Sequence, residues 1–300
     1  MTSMHLTDPS TPPRRAKSAP LNTLLFGGCL VHAPVRHVSR TQNGLAYRKY
    51  GVMPIHTFGE MFQIVEILRG EKTVPPELRH LCRMATELAP VPGASDFSDI
   101  DVALVEPASP IELTFRGIAI NRTGIMHHVL RPIERQGSEA AKISARWLRQ
   151  GLVGLNESVR AEMGAKLLDY VQGQTEAAEL ARAVIRETHA SRSDIAGGFR
   201  KMQELLGCPI GVAIYVFRYM PDGRPVSWPA GFREDVLAAA RQLDLPIFEP
   251  TPLVLQYGVE AALTADSRHY REEFLPVIGD ALVEFARSVY EGSKSRPAAS

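Results

Sequence analysis

Four short apolar runs limit what this chain can fold into. They are Leu21–Phe26, the core of Asp99–Glu106, the Ile-Gly-Val-Ala-Ile-Tyr-Val-Phe run inside Pro209–Tyr219, and Leu245–Phe248. Each is too short for a buried helix and apolar on successive residues, the pattern of a strand covered on both faces. Amphipathic segments separate them. In Phe58–Arg69, Met61, Ile64, Val65 and Leu68 recur at helical spacing, so one face is apolar. Thr57 with Glu60 three residues later reads as a capping box, and Gly70 stops the helix. Phe232–Leu243 and Phe274–Tyr290 are further helices. Alternating strands and helices predict a three-layer α/β/α sandwich around a mainly parallel sheet. Ligands of such sheets bind at the C-terminal ends of the strands.

The remaining segments set boundaries. Residues 1–20 hold Pro9, Pro12, Pro13 and Pro20 among Ser, Thr and Arg, a polar tail that cannot bury enough surface to order itself. Residues 293–300 read as a second disordered tail, leaving 21–292 as the folded domain. Leu45–Tyr50 is a candidate strand. Pro75-Pro76 starts a helix through about Met84, and Ile111–Ile120 is a strand or an irregular excursion. Pro34 bars a helix interior just beyond Cys29, though a helix can start there. From about 122 to 206 the periodicity is helical, over Ser138–Leu152, Glu157–Val171 and Thr175–His189. About 85 residues without a strong strand signal is long for a crossover. The stretch therefore reads as a helical insertion serving as a cap or a homo-oligomer surface.

Composition narrows the classes. The 34 basic and 33 acidic residues leave a net charge of +1, which argues against a large nucleic-acid surface. Cys29, Cys82 and Cys208 are odd in number and far apart, pointing to reduced thiols in the cytoplasm and not to a zinc site. No apolar run reaches the roughly 18–20 residues of a membrane span. Dinucleotide and phosphate-loop motifs are absent, and His127-His128 lacks the i, i+4 spacing of a helical metal pair. The expectation is no cofactor and no metal.

Two points carry chemistry. Phe26-Gly27-Gly28-Cys29 closes the first strand, and Asp266-Ser267-Arg268-His269 lies near the other end. Cys29 is a candidate nucleophile. A free thiol titrates near 8.5, so it needs a helix N-terminus or a histidine to favour the thiolate. His269 is the candidate base, and Asp266 would orient it. Gly27 and Gly28 allow a tight turn whose amides could hold an oxyanion. The plainer alternative for Cys29 is a small buried hydrophobe. His32 and His37 read as solvated loop histidines, His56 as either site or surface, and Glu106 as a solvated carboxylate at a strand end.

These two points resemble the SGNH/GDSL hydrolase superfamily, with Gly-Asp-Ser after the first strand and Asp-x-x-His near the end of an α/β/α fold. The Gly-x-Cys form is similar to its GSCFA branch, over about residues 21–290. The resemblance implies an esterase or acyltransferase acting on an acyl or acetyl ester of a small molecule or glycan, through an acyl-enzyme on Cys29. It also implies catalytic roles for His269 and Asp266. Departures are visible: Cys replaces the usual Ser, and Glu106-Pro107-Ala108-Ser109 stands where a Gly-x-Asn-Asp block belongs. The resemblance then offers Gly28 and Gly59 as oxyanion amides, with Asn121 or Ser109 replacing the lost asparagine. Asn121 as a helix N-cap and Ser109 as a turn residue between prolines are the structural alternatives. Two other functions stay open. One is a non-catalytic binding protein on the same fold. The other is an exported lipoprotein anchored at Cys29, because Arg14 to Cys29 also resembles a lipoprotein signal.

Overall fold

The computed structural model describes residues 21–41, 45–48, 55–82 and 97–295. Residues 1–20, Tyr50, Met84 and 296–300 lie outside that set, and with them the expected N-terminal tail, two element ends and most of the expected tail 293–300, whose first residues Ser293 and Lys294 instead continue the last helix. The chain opens with β1 (Leu21–Phe26), α1 (Cys29–Thr41), β2 (Leu45–Arg48), α2 (Phe58–Leu68) and β3 (Val102–Val105). It then leaves the sheet through β4 (Ile111–Phe115), β5 (Ile118–Ala119), α3 (Arg122–Ile125), α4 (Arg131–Glu134), α5 (Ser138–Arg146), α6 (Glu157–Leu168), α7 (Glu176–Glu187) and β6 (His189–Arg192). It returns as α8 (Ile195–Leu206), β7 (Ile210–Ala213), β8 (Arg218–Tyr219), β9 (Pro225–Val226), α9 (Phe232–Gln242) and β10 (Ile247–Phe248). The last elements are α10 (Thr251–Tyr257), α11 (Val259–Ala262) and α12 (Leu275–Lys294).

Five parallel strands form the central sheet in the order β10-β7-β3-β1-β2. The pleat divides their side chains. Leu25, Val102 and Leu104 pack with Val31, Val35, Leu282 and Ala286, so α1 and α12 cover one face. Leu24, Phe26, Ala103 and Val105 pack with Met61, Phe199, Met202 and Val236, so α2, α8 and α9 cover the other. That is the expected three-layer α/β/α sandwich. Right-handed crossovers explain the division: chain progress reverses direction between β1 and β3, so the helices change face there. That reversal makes the crevice between the ends of β1 and β3 the topological switch point, where doubly wound sheets bind ligands.

Several details depart from expectation. The 55–68 segment agrees: Thr57 and Glu60 form the capping box of α2. The helix predicted from Pro75-Pro76 is a single 3-10 turn, Pro76–Leu78. The α1 helix starts at Cys29 with Pro34 inside it. The ring removes one helical hydrogen bond, but Pro34 is buried where α12 crosses. A Cβ at Gly279 would lie 2.9 Å from the Pro34 carbonyl oxygen, so the close packing offsets the loss. The 111–120 stretch is a β4–β5 hairpin whose two-residue turn, Arg116-Gly117, has φ of 50° and 76°, as a type I′ turn requires.

The excursion is not wholly helical. β6 pairs antiparallel with β4, Ile111 opposite Arg192, in a three-stranded sheet separate from the central one. Its apolar residues join Trp147, Leu167 and Val184 in a second core. Two π-helical turns interrupt the helices, at Met126–Leu130 and Trp147–Leu152. α8, which the periodicity grouped with the excursion, packs in the sandwich.

Candidate active site

The switch point is tightly knitted. Glu106 N–H donates to the Phe26 carbonyl at 2.7 Å, Ile55 N–H to Gly27 at 3.1 Å, and Ala108 and Ser109 N–H to His56 at 2.9 and 3.0 Å. Glu106 is not solvated as expected: it is 1% exposed, and its Oε2 accepts the Gly28 N–H at 2.6 Å. Burial pushes its carboxyl up to about 8, against the pull of the Gly28 amide. Gly27 is what admits it. A Cβ on Gly27 would sit 2.7 Å from Glu106 Cβ and 2.9 Å from Oε2. The glycine pair thus serves close packing of an acid beneath the turn. Directly above it Cys29 is exposed at the first residue of α1, not buried as a small hydrophobe.

The Gly59 amide donates to Glu112 Oε1 at 3.3 Å. Both amides named as oxyanion donors therefore already face carboxyl groups. Asn121 is buried and caps α3, its Oδ1 accepting Thr123 N–H at 2.8 Å, while its Nδ2 donates to Glu60 Oε1 at 2.5 Å. Ser109 closes a local turn, accepting Ile111 N–H at 3.1 Å, and borders the cleft described below. His32, expected in a loop, is buried within α1, because the helix begins earlier than Pro34 suggested.

The second point is an autonomous loop. Leu263 and Tyr270 bridge antiparallel, Thr264 N–H donates to His269 O at 2.9 Å, and Tyr219 N–H holds the Ser267 carbonyl at 3.0 Å. Asp266 Oδ1 accepts the Thr264 hydroxyl at 2.6 Å and the Arg268 and His269 amides at 2.9 and 3.2 Å. Its Oδ2 lies 2.6 Å from His269 Nδ1. Burial works to raise the Asp266 carboxyl, but these hydrogen bonds prevail and hold it well below the usual carboxylate range. Among the described residues nothing bonds His269 Nε2, and the side chain is 55% exposed. Asp266 and His269 are thus joined. Cys29 follows β1, and the Asp266–His269 loop lies between α11 and α12.

Tyr215, two residues beyond β7, connects the two points. Burial pushes its phenol up to about 12; Glu106 and Cys29 act in the same direction, and Arg122 and Arg268 oppose. It borders a cleft between sandwich and excursion, with His56, Glu60, Ser109, Arg122 and Trp228 also on its walls. Glu60 there accepts the His56 and Thr57 amides at 2.8 and 3.0 Å. Burial pushes it up to about 7, and Asn121 and the amides oppose. Glu60 was legible only as the capping-box residue of α2, and Arg122, Tyr215 and Trp228 were not legible as site residues because each comes from a segment with no motif. Among the described residues no group of three His, Cys, Asp or Glu side chains is arranged to hold a metal, and no helix is long and apolar enough to cross a membrane.

No curated protein and no solved structure matches the chain. Residues 21–285 match the TviD N-terminal domain family. That match runs from β1 through the first half of α12 and takes in both points of the candidate site. The chain therefore belongs to the TviD N-terminal domain family.

Proposed function

We propose that this domain is an esterase or acyltransferase acting on an acylated glycan, with Cys29 as nucleophile. The observation that carries the reading is the exposure of Cys29 at the switch point, with Tyr215 within electrostatic reach of both Cys29 and Arg268, the neighbour of His269. The family's link to Vi capsule polysaccharide biosynthesis supports a glycan as the substrate class. In this mechanism His269 Nε2 takes the thiol proton and the sulfur attacks the ester carbonyl carbon. The carbon–oxygen bond breaks, and the alcohol leaves with the proton from His269. Water or a second alcohol then cleaves the thioester by the same route. Asp266 keeps the proton on Nδ1 and stabilises the imidazolium. With the Gly28 and Gly59 amides engaged by carboxyl groups, the oxyanion falls to the N-terminal end of α1, whose dipole favours negative charge there.

One observation favours a second reading, a binding protein on the same fold. The motif asparagine is missing and both glycine amides are already occupied. Cleavage ahead of Cys29 would strip β1 from between β2 and β3, which counts against the lipid-anchor alternative.

Thiol alkylation beside aryl acetate turnover divides the two readings. Burial pushes the Cys82 and Cys208 thiols up to about 12, so Cys29 should label first. His269→Ala should slow that labelling and lower turnover by about 10²–10⁴-fold. Slow, equal labelling of all three cysteines without turnover would leave the binding protein as the better account.

A further inference from the structure

An acyl-enzyme on Cys29 forms through an oxyanion. Attack on an ester carbonyl places negative charge on its oxygen, and a directed O–H or N–H donor must meet that charge. Four groups stood as donors in the sequence, and each is engaged elsewhere. The Gly28 amide donates to Glu106 at 2.6 Å and the Gly59 amide to Glu112 at 3.3 Å. Asn121 Nδ2 donates to Glu60 Oε1 at 2.5 Å. The Ser109 hydroxyl donates to the Ile111 carbonyl at 3.2 Å. The N-terminal end of α1 contributes a field there, but a field sets neither the distance nor the angle of a hydrogen bond.

Tyr215 has the properties these four lack. It follows β7, the neighbour of β3 in the sheet, and borders the cleft beside Ser109 and Trp228. The residue is half-buried, and among the described residues nothing hydrogen-bonds its hydroxyl. It stands within electrostatic reach of Cys29 and of Arg268, the neighbour of His269. Arg122 and Arg268 favour the ionised phenol, but burial prevails, Glu106 and Cys29 act with it, and the group is pushed up to about 12. It therefore keeps its proton throughout the neutral range, as a donor must. The two arginines lie instead over aromatic rings, Arg122 over Trp228 at 5.3 Å and Arg268 over Phe217 at 4.2 Å. A protonated hydroxyl on a cleft wall, unbonded within the protein, can turn to an acceptor on a ligand.

We infer that Tyr215 is a further catalytic residue, its hydroxyl donating the hydrogen bond that holds the oxyanion formed when Cys29 attacks. The inference rests on the esterase or acyltransferase reading and supplies the donor that the missing motif asparagine would give. As the sulfur–carbon bond forms, the carbonyl π pair moves onto oxygen and accepts the Tyr215 O–H. The proton stays on the phenol. As the carbonyl re-forms, the carbon–oxygen bond to the alcohol breaks, and the alcohol leaves with the proton from His269. Cleavage of the thioester passes through a second oxyanion at the same place, so both half-reactions use Tyr215.

The test is Tyr215→Phe, which removes one oxygen atom and keeps the ring. That oxygen has no protein partner to leave unsatisfied, so the urea midpoint should hardly move. Turnover of an aryl acetate should fall by about 10²–10³-fold in kcat with KM nearly unchanged, because the bond is made to the oxyanion and not to the resting ester. Alkylation of Cys29 by iodoacetamide breaks a carbon–iodine bond and places no charge on a carbonyl oxygen. Its rate should change by less than about twofold in Tyr215→Phe, since the thiolate is still available. Tyr215→His carries an N–H donor and should turn over at least about tenfold faster than Tyr215→Leu. That pair decides the matter if Tyr215→Phe does not fold. Full turnover in folded Tyr215→Phe would overturn the assignment, as would equal turnover of the His and Leu variants. Equal slowing of alkylation and turnover would overturn it too, because a donor to the oxyanion cannot affect alkylation. Wild-type protein with no turnover and slow Cys29 labelling would instead remove the catalytic reading, and this assignment with it.

Discussion

The two halves of the candidate site are built in opposite ways. The Gly27-Gly28-Cys29 turn is set into the sheet, with a buried acid beneath it and backbone bonds at Phe26 and Gly27 to two neighbouring segments. The Asp266–His269 loop is exposed and bonded mostly to itself, with a single backbone bond to Ser267 tying it to β8. Only the first half is held by the core. Changes there should register in stability before they register in chemistry, and changes in the loop should do the reverse.

The largest expected effect on stability comes from Gly27→Ala. The added methyl would press on Glu106 at 2.7 Å, and overpacking of this kind costs about 1–3 kcal/mol. Urea unfolding should read that loss, and Glu106→Gly in the same chain, which removes the Cβ as well as the carboxyl, should leave no further cost for the added methyl. Full stability in Gly27→Ala would mean the turn has slack, and the contrast between the halves would weaken.

A smaller effect, with a defined pH window, comes from Glu106→Gln. In the fold the carboxyl holds its proton up to about 8, against an ordinary value of 4.5. Between those values the folded state binds more protons than the unfolded state, so stability must fall as pH rises. The glutamine variant should lack most of that decline and be the more stable protein near pH 8, by on the order of 1–3 kcal/mol. Parallel stability–pH curves for the two proteins would contradict the burial of a neutral acid there.

The smallest effect on stability belongs to Asp266→Asn. The side chain is 45% exposed, and exposed substitutions usually stay within about 0.5 kcal/mol. Turnover should nevertheless fall, because an amide cannot stabilise the imidazolium at Nδ1. A large stability loss with unchanged turnover would invert the comparison.

Legibility in the sequence divides along the same line. The β1, β3 and β7 strands were readable because strands buried on both faces are apolar at successive residues. The Thr57–Glu60 capping box was readable because capping is a local event. β6 was not, because His189, Ser191 and Arg192 face solvent and an exposed edge strand has no apolar signature. Its partner β4 was open to reading as a strand, because Ile111, Leu113 and Phe115 alternate with Glu112 and Thr114. Glu106 reads as solvated because a carboxylate at a strand end is normally wet; only the long-range packing of two glycines makes room to bury it. Cys29, Asp266 and His269 were visible as motif residues. Arg122, Tyr215 and Trp228 meet only through tertiary structure, and no spacing in the chain connects them.

The pairing of β4 with β6 has an architectural consequence. Ser193 N–H reaches the Pro110 carbonyl at 2.7 Å, so the chain leaves the sandwich and re-enters it at one point. Because the excursion's ends are already clamped together, inserting or deleting residues within it alters the closure entropy only slowly. Its own core lets it vary in length and shape without disturbing the strands below. The cleft therefore has a fixed floor and an exchangeable roof. Tyr215 and Phe217 belong to the floor, and Arg122 and Val153 to the roof. Selectivity could be rewritten from above while the Cys29 turn stays as it is.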